Sequence, residues 1–134
     1  SVKFKFKLNL ACPTLYKPKK NIIKWLNKNK HKVKILHDPK KALENSDVVI
    51  TDKFISMNDK VDKLKKINHF RKFYINSKLM KLAKKDVIFL HCLPRGSEVS
   101  EDVFNSKISR VWEQASNRVH IQKSILLYCL KILR

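Results

Sequence analysis

Apolar and polar residues alternate along the chain with two different periods, and this pattern predicts strands interleaved with helices. The predicted strands are residues 3–11, 33–36, 47–51, 87–91 and 110–112. The predicted helices are residues 18–30, a short helix that Asp38-Pro39 opens, one that follows an initial loop within 52–70, then 76–85 with a cap at Asn76-Ser77, 100–104 and 115–133. This order is typical of an α/β fold with three layers, a doubly wound and mostly parallel sheet carrying helices on both faces.

Ligands of an open parallel sheet bind outside the carboxyl ends of its strands, so the residues that follow each strand are the candidates for chemistry. Asp52 follows an apolar strand and could bind a substrate amine, although an Asp in this place is more typical of a turn or a helix cap. Arg118 is predicted at the start of the last helix, where a cation is unfavourable. An anionic or carbonyl-bearing ligand would explain it, and a plain surface arginine is the alternative.

The dipeptide His91-Cys92 ends another predicted strand and contains two reactive side chains. Neighbouring residues on a strand point to opposite faces, so we do not expect these two to form a hydrogen-bonded catalytic pair. The same geometry argues against a metal site built from them.

The length and composition narrow the class of protein. The 134 residues suit one domain, residues 1–134. A single glycine excludes the glycine-rich loops that bind phosphate. The three cysteines, Cys12, Cys92 and Cys129, have no C-x-x-C spacing, which favours a reducing, cytoplasmic setting. The sequence also predicts no signal peptide and no membrane-spanning helix.

A formal net charge of +20 would suit an acidic partner such as nucleic acid. However, 26 of the 31 basic residues are lysine and only five are arginine, the side chain that nucleic-acid sites prefer. Asparagine and isoleucine are also abundant, which is typical of AT-rich coding. A solvated lysine surface is therefore favoured over nucleic-acid binding, and a non-catalytic basic binding module is kept as the alternative.

Several strings together resemble one enzyme family. They are Ile88-Phe-Leu-His-Cys-Leu-Pro-Arg-Gly-Ser-Glu-Val99, Thr51-Asp-Lys-Phe-Ile-Ser-Met57, Val111-Trp112 and Asn117-Arg-Val-His-Ile-Gln-Lys123. They resemble the carboxyl-terminal half of ornithine carbamoyltransferases, and the resemblance covers nearly the whole chain. The H-C-L-P string is the specific one, because aspartate carbamoyltransferases have proline at the position of Cys92.

The resemblance implies transfer of a carbamoyl group from carbamoyl phosphate to the δ-amino group of ornithine, with no cofactor. It implies that Asp52 binds the α-amino group of ornithine. It also implies that Ser56 and Met57 lie on a mobile loop that closes over the amino acid. A carboxylate is a natural partner for an ammonium, and loop closure excludes water that would compete as a nucleophile.

The same resemblance implies roles at the reacting atoms. Cys92 and the carbonyl of Leu93 would hold the reacting amine and the carbamoyl group. Arg118 would polarise the carbamoyl carbonyl, because a cation stabilises the oxyanion that develops on attack. Cys92 could orient the amine or receive a proton without forming a covalent bond.

The chain departs from the family pattern at Thr14-Leu15, Asn58-Asp59 and Ser116. It also lacks the Ser-Thr-Arg-Thr and His-Pro-Thr-Gln motifs of the amino-terminal carbamoyl-phosphate domain. We therefore expect an ornithine-binding half that is inactive alone and needs that domain as its partner, in a homotrimer for the complete enzyme. A carbamoyltransferase with a different amine acceptor, such as putrescine or an acylated ornithine, is a further alternative.

Overall fold

Four strands and six helices alternate in the computed structural model, which describes residues 5–28, 32–55 and 62–132. The strands are β1 (Leu8–Ala11), β2 (Val33–Leu36), β3 (Val48–Thr51) and β4 (Ile88–His91). The helices are α1 (Lys20–Lys28), α2 (Pro39–Leu43), α3 (Lys63–Phe70), α4 (Ser77–Met80), α5 (Glu101–Phe104) and α6 (Val111–Cys129). Short 3-10 turns cover Thr14–Tyr16 and Arg71–Phe73. The predicted α/β class is confirmed.

Both strand pairs are parallel. β1 pairs with β2 and β3 pairs with β4, and within the described ranges the hydrogen bonds make two two-stranded sheets. The register of the second sheet places Thr51 opposite His91, the last residues of β3 and β4. The residues that follow these two strands therefore begin side by side.

Polar side chains cap three of the helices. Asp38 accepts a hydrogen bond from the Lys40 amide, with Pro39 in the first turn, and Asn76 accepts one from the Leu79 amide. Asp62 caps α3 in the same way. Such caps satisfy amides that have no partner inside the helix, which is why short polar residues start these elements. The helix predicted over 76–85 is shorter, since it ends at Met80 and continues as turns.

The main core lies on one face of the β3–β4 sheet. Its members are apolar and buried: Leu43, Val49, Ile75, Met80, Val87, Phe89, Val99, Val103, Phe104 and Val111. Burial of each large side chain contributes about 1.5–3 kcal/mol. This core fixes the β3–β4 sheet against α4, α5 and the first residue of α6.

The strand predicted over 110–112 is wrong. α6 begins at Val111, whose side chain is buried, and the chain just before it bridges to β4. The Arg110 amide donates to the Phe89 carbonyl at 2.9 Å, so the approach to the helix runs beside the sheet. A short apolar stretch has the same sequence pattern at a strand edge and at a helix start. Here the burial of Val111 in the core favours the helix start.

One further prediction of element bounds is corrected. The strand predicted over 3–11 begins at Leu8, and residues 3 and 4 lie outside the described residues. The segment 52–70 follows its prediction, since residues 52–55 are loop and bend and the helix α3 starts later, at Lys63.

Two apolar surfaces have no covering element in the part of the chain that the structure describes. One is an apolar face of α6, on which Val119 is 63% exposed and Leu126 is 62% exposed. On the second sheet, Val48, Ile50 and Ile88 are exposed on the face opposite the core. In a parallel sheet both faces are normally covered, so these surfaces are suited to contact with further protein. Among the described helices, none combines the length and apolarity needed to cross a bilayer.

Candidate functional site at the ends of β3 and β4

Asp52 and Cys92 are in contact where the two parallel strands end. The Cys92 Sγ donates a hydrogen bond to Asp52 Oδ1 at 3.2 Å, although 40 residues separate the two in sequence. The strand register explains the contact, because Asp52 follows Thr51 and Cys92 follows its partner His91. Two residues that the sequence singles out independently are thus brought together at the predicted edge of the sheet.

The Asp52 carboxylate is exposed, and only one of its two oxygens accepts hydrogen bonds from the described residues. Its Oδ1 accepts both the Cys92 thiol and the Lys53 amide, the latter at 2.7 Å. Within residues 5–28, 32–55 and 62–132, Oδ2 has no hydrogen-bond partner. The turn role and the ligand role considered from sequence are therefore compatible, since one oxygen holds the turn and the other can accept from an ammonium.

The Cys92 thiol is held in its protonated form at neutral pH. Partial burial raises the pKa of Cys92, and the hydrogen bond and negative charge of Asp52 raise it further. A raised pKa favours the thiol, which can donate a hydrogen bond but is a poor nucleophile. The arrangement therefore suits an orienting group better than a covalent catalyst.

His91 points away from Cys92 and into the core. Its Nδ1 lies 2.8 Å from the Thr51 carbonyl, and its Nε2 lies 2.8 Å from Glu98 Oε1. The two neighbouring side chains have different partners, as the opposite faces of a strand require. Sequence reasoning missed Glu98, because a single carboxylate after a Pro-Arg-Gly turn gives no sign of burial.

Arg118 lies inside α6 and not at the start of a helix, so the argument from the helix N-terminus is wrong for it. Its place relative to the strands is given by Gln114, whose Oε1 accepts a hydrogen bond from the His91 amide at 3.1 Å. Residues four apart lie on the same face of a helix, so Arg118 follows Gln114 by one turn on the side that faces the end of β4. The Arg118 side chain is exposed and has no partner among the described residues.

The remaining candidates are Leu93, Ser56 and Met57. Leu93 is exposed and opens the turn after β4, where the Leu93–Pro94 peptide bond is cis. Ser56 and Met57 lie outside the described residues. Over the described ranges, no three His, Cys, Asp or Glu side chains are close enough together to hold a metal ion.

Comparison with known proteins identifies the family of the chain. Residues 1–129 match the family model described as "Aspartate/ornithine carbamoyltransferase, Asp/Orn binding domain". The ornithine carbamoyltransferase of Nitratiruptor sp. is 42% identical in an alignment 132 residues long that covers 94% of this chain and 43% of that protein. That of Rhodopseudomonas palustris is 42% identical over 130 residues, covering 96% of this chain and 42% of the relative. The chain thus spans less than half the length of these curated relatives.

Solved structures have the same fold. Ornithine carbamoyltransferase from Pyrococcus furiosus superposes with a TM-score of 0.82 at 39% identity, over 94% of this chain and 42% of that one. The anabolic enzyme from Campylobacter jejuni gives 0.84 at 35% identity, over 98% of this chain and 46% of that one. An acetylornithine transcarbamylase at 24% identity and a TM-score of 0.77 shares the fold. The chain therefore belongs to the aspartate/ornithine carbamoyltransferase family and has the fold of its Asp/Orn-binding domain.

Proposed function

We propose that this chain is the ornithine-binding half of an ornithine carbamoyltransferase. The observation that carries the proposal is the contact between Asp52 and Cys92 at the ends of β3 and β4. Relatives at 42% identity bear the name ornithine carbamoyltransferase, which supports ornithine as the substrate class.

In the proposed reaction the δ-amino nitrogen of ornithine attacks the carbonyl carbon of carbamoyl phosphate. A carbon–nitrogen bond forms, the carbon–oxygen bond to phosphate breaks, and the nitrogen loses a proton, giving citrulline and phosphate. Holding two reactants in one orientation accounts for a large part of such a rate. The chemistry needs no cofactor.

Asp52 would bind the ornithine α-ammonium through its unoccupied Oδ2. The carboxylate is already oriented by the Lys53 amide and the Cys92 thiol, so little reorganisation is needed on binding. A charge-assisted bond of this kind is stronger than a neutral one.

Cys92, with the Leu93 carbonyl, would orient the reacting amine and the carbamoyl group. The thiol is a donor in the free chain because the pKa of Cys92 is raised by burial and by Asp52. Arg118, on the side of α6 that faces β4, would stabilise the negative charge that develops on the carbamoyl oxygen during attack. Ser56 and Met57, which follow Asp52 in sequence, would also contact the amino acid.

A second domain would supply carbamoyl phosphate, and we propose a homotrimer and a cytoplasmic location for the complete enzyme. The uncovered apolar faces of α6 and of the β3–β4 sheet suit a surface that a further domain covers. The matched region is only 42–43% of the length of the Nitratiruptor and Rhodopseudomonas palustris relatives. The larger part of such an enzyme therefore lies outside the match.

The rival functions have weaker support. A basic binding module would explain the charge of +20 but not the Asp52–Cys92 contact. A different amine acceptor has no observation here in its favour, because the acetylornithine transcarbamylase shares only the fold.

The experiment supplies the remaining part of a relative, such as the Nitratiruptor enzyme, to this chain in trans and also as a fusion. Phosphate release and the carbamoylated product, which is citrulline only for ornithine, are measured with ornithine, N-acetylornithine, putrescine or aspartate as the acceptor. We expect activity with ornithine and none from the chain alone. A folded chain that gives no citrulline in either arrangement, or that prefers another acceptor, contradicts the proposal.

A further inference from the structure

A buried histidine–glutamate pair lies beneath the ends of β3 and β4. His91 is 1% exposed and Glu98 is 2% exposed. The imidazole bridges the Thr51 carbonyl and Glu98 Oε1 at 2.8 Å each, and the Gly96 amide donates to the same Oε1 at 2.6 Å. Three segments that are separate in sequence therefore meet at one ring.

The hydrogen bonds determine where the protons of this pair lie. A carbonyl oxygen has no proton, so His91 Nδ1 must donate to Thr51. Glu98 Oε1 accepts from the Gly96 amide, and one proton is shared between Glu98 and His91 Nε2. Every polar atom of the imidazole has a partner, which is the condition for a buried polar group to be tolerated.

Stability alone is a poor reason for such a pair. Buried charge pairs are often no more stabilising than apolar side chains of the same volume, whereas a fully satisfied network holds one geometry. The other neighbours of the imidazole are apolar, since the ring of Phe89 stacks on His91 and that of Phe104 meets its edge. The pair is therefore better explained by the geometry that it fixes.

That geometry concerns the candidate site. Thr51 precedes Asp52 and His91 precedes Cys92, so the imidazole joins the two strand ends on the face opposite the site. We infer that His91 and Glu98 are positioning residues that hold Asp52 and Cys92 at contact distance. This inference rests on the proposed function, because it assigns the pair to the same site.

The single glycine of the chain fits this role. A Cβ added at Gly96 would lie 2.6 Å from Glu98 Oε2 and 3.0 Å from Oε1. Because both His91 and the Gly96 amide hold that carboxylate, it cannot move aside without loss of the pair. Gly96→Ala therefore perturbs the pair while it leaves the histidine and the glutamate in place.

The test measures the alkylation rate of each cysteine in the 134-residue chain as a function of pH, resolved by peptide mass spectrometry. Asp52→Asn gives the reference for a broken contact, since the carboxylate raises the pKa of Cys92. A fall of one unit in that pKa gives about tenfold more thiolate below the pKa. The buried Cys12 reports global opening, and the exposed Cys129 reports the intrinsic rate of the reagent.

The variants are His91→Asn, Glu98→Gln and Gly96→Ala, with the exposed Glu101→Gln as the matched control. The asparagine amide keeps a donor close to the position of Nδ1 and loses the bond to Glu98. We expect Cys92 to alkylate faster in all three variants, by a factor approaching that of Asp52→Asn, with Cys12 still protected. The control variant should behave as the unchanged chain.

Rates at Cys92 that stay within about twofold of the unchanged chain, with only a lower unfolding midpoint, would overturn the inference. If His91→Asn opens the fold, the alkylation rate of Cys12 will rise as well. The inference is then tested by the alkylation rate of Cys92 in Gly96→Ala and Glu98→Gln, with the same criterion. If Asp52→Asn itself leaves Cys92 unchanged, the contact between Asp52 and Cys92 is refuted, and the proposed site fails together with its positioning. A normal response to Asp52→Asn without one in the other variants refutes the positioning role alone.

Discussion

The Cys92 thiol donates a hydrogen bond to the Asp52 carboxylate at 3.2 Å, across two parallel strands that end at the same edge of a sheet. This relationship makes a cation-binding carboxylate and an orienting thiol parts of one site.

Asp52→Asn should lower kcat/KM for ornithine in the complemented enzyme, because the ammonium loses its charged partner. The fall should correspond to a loss of about 2–4 kcal/mol of transition-state stabilisation. The KM for carbamoyl phosphate should barely change. Steady-state kinetics with each substrate varied will measure both effects. Asp86→Asn, at another exposed aspartate, is the matched control. Unchanged ornithine kinetics with a lowered unfolding midpoint would show that Asp52 only holds its turn.

Arg118→Gln should reduce kcat of the complemented enzyme by on the order of 10²–10³, the usual effect of removing one oxyanion donor. The unfolding free energy should change little, because the side chain is exposed and unpaired within the described residues. Arg71→Gln, at an exposed arginine in the 3-10 turn after α3, serves as the control. Equal kcat values for the two variants would contradict the role proposed for Arg118.

The stability of the chain should fall as the pH rises above about 9, the region where unperturbed thiols ionise. Burial raises the pKa of Cys12, and burial with Asp52 raises that of Cys92. A folded pKa above the unfolded value gives stability that is complete below the unfolded pKa and is lost as the pH rises through the folded one. Urea unfolding between pH 7 and pH 10.5 measures this loss.

The double variant Cys12→Ser/Cys92→Ser provides the comparison, since it removes both thiols from the titration. Its stability should depend less on pH over this range. The ion pair of Lys84 with Asp47 contributes in the same direction at higher pH, because the partner raises the pKa of Lys84. An identical pH profile for the double variant would show that the thiols have no part in it.

Phe89→Ala should cost about 3–5 kcal/mol of unfolding free energy, as expected for a fully buried aromatic side chain in a packed core. Val119→Ala, on the exposed face of α6, should stay within about 0.5 kcal/mol in the chain alone. Denaturant unfolding of the two variants gives the comparison. A large loss for Val119→Ala would mean that the face of α6 is covered within this chain.

Val119→Ser combined with Leu126→Ser should weaken association with the complementing domain while leaving the fold intact. Both side chains are more than three-fifths exposed, and apolar area of this kind is suited to an interface. Titration calorimetry measures the dissociation constant, with Lys123→Ser on the same helix as the control. Unchanged affinity would place the domain contact on another surface, with the exposed β3–β4 face as the next candidate.

Much of this protein was determined by local sequence. Periodicity located the four strands and the long helix, and the caps at Asp38 and Asn76 located helix starts, because both signals act over a few residues. The strings around Thr51-Asp52 and His91-Cys92-Leu93-Pro94 indicated the family before any contact was visible.

Tertiary structure decided the rest, for reasons that short windows cannot contain. The start of α6 at Val111 depends on burial against β4, so local pattern alone mistook it for a strand and misplaced Arg118. The partner of Cys92 lies 40 residues away and is selected by strand register, and Glu98 becomes a buried partner of His91 only when the chain turns back beneath the sheet. Sequence determined which side chains are present at the strand ends. Packing and register determined which of them touch, because distances between remote residues depend on the whole fold.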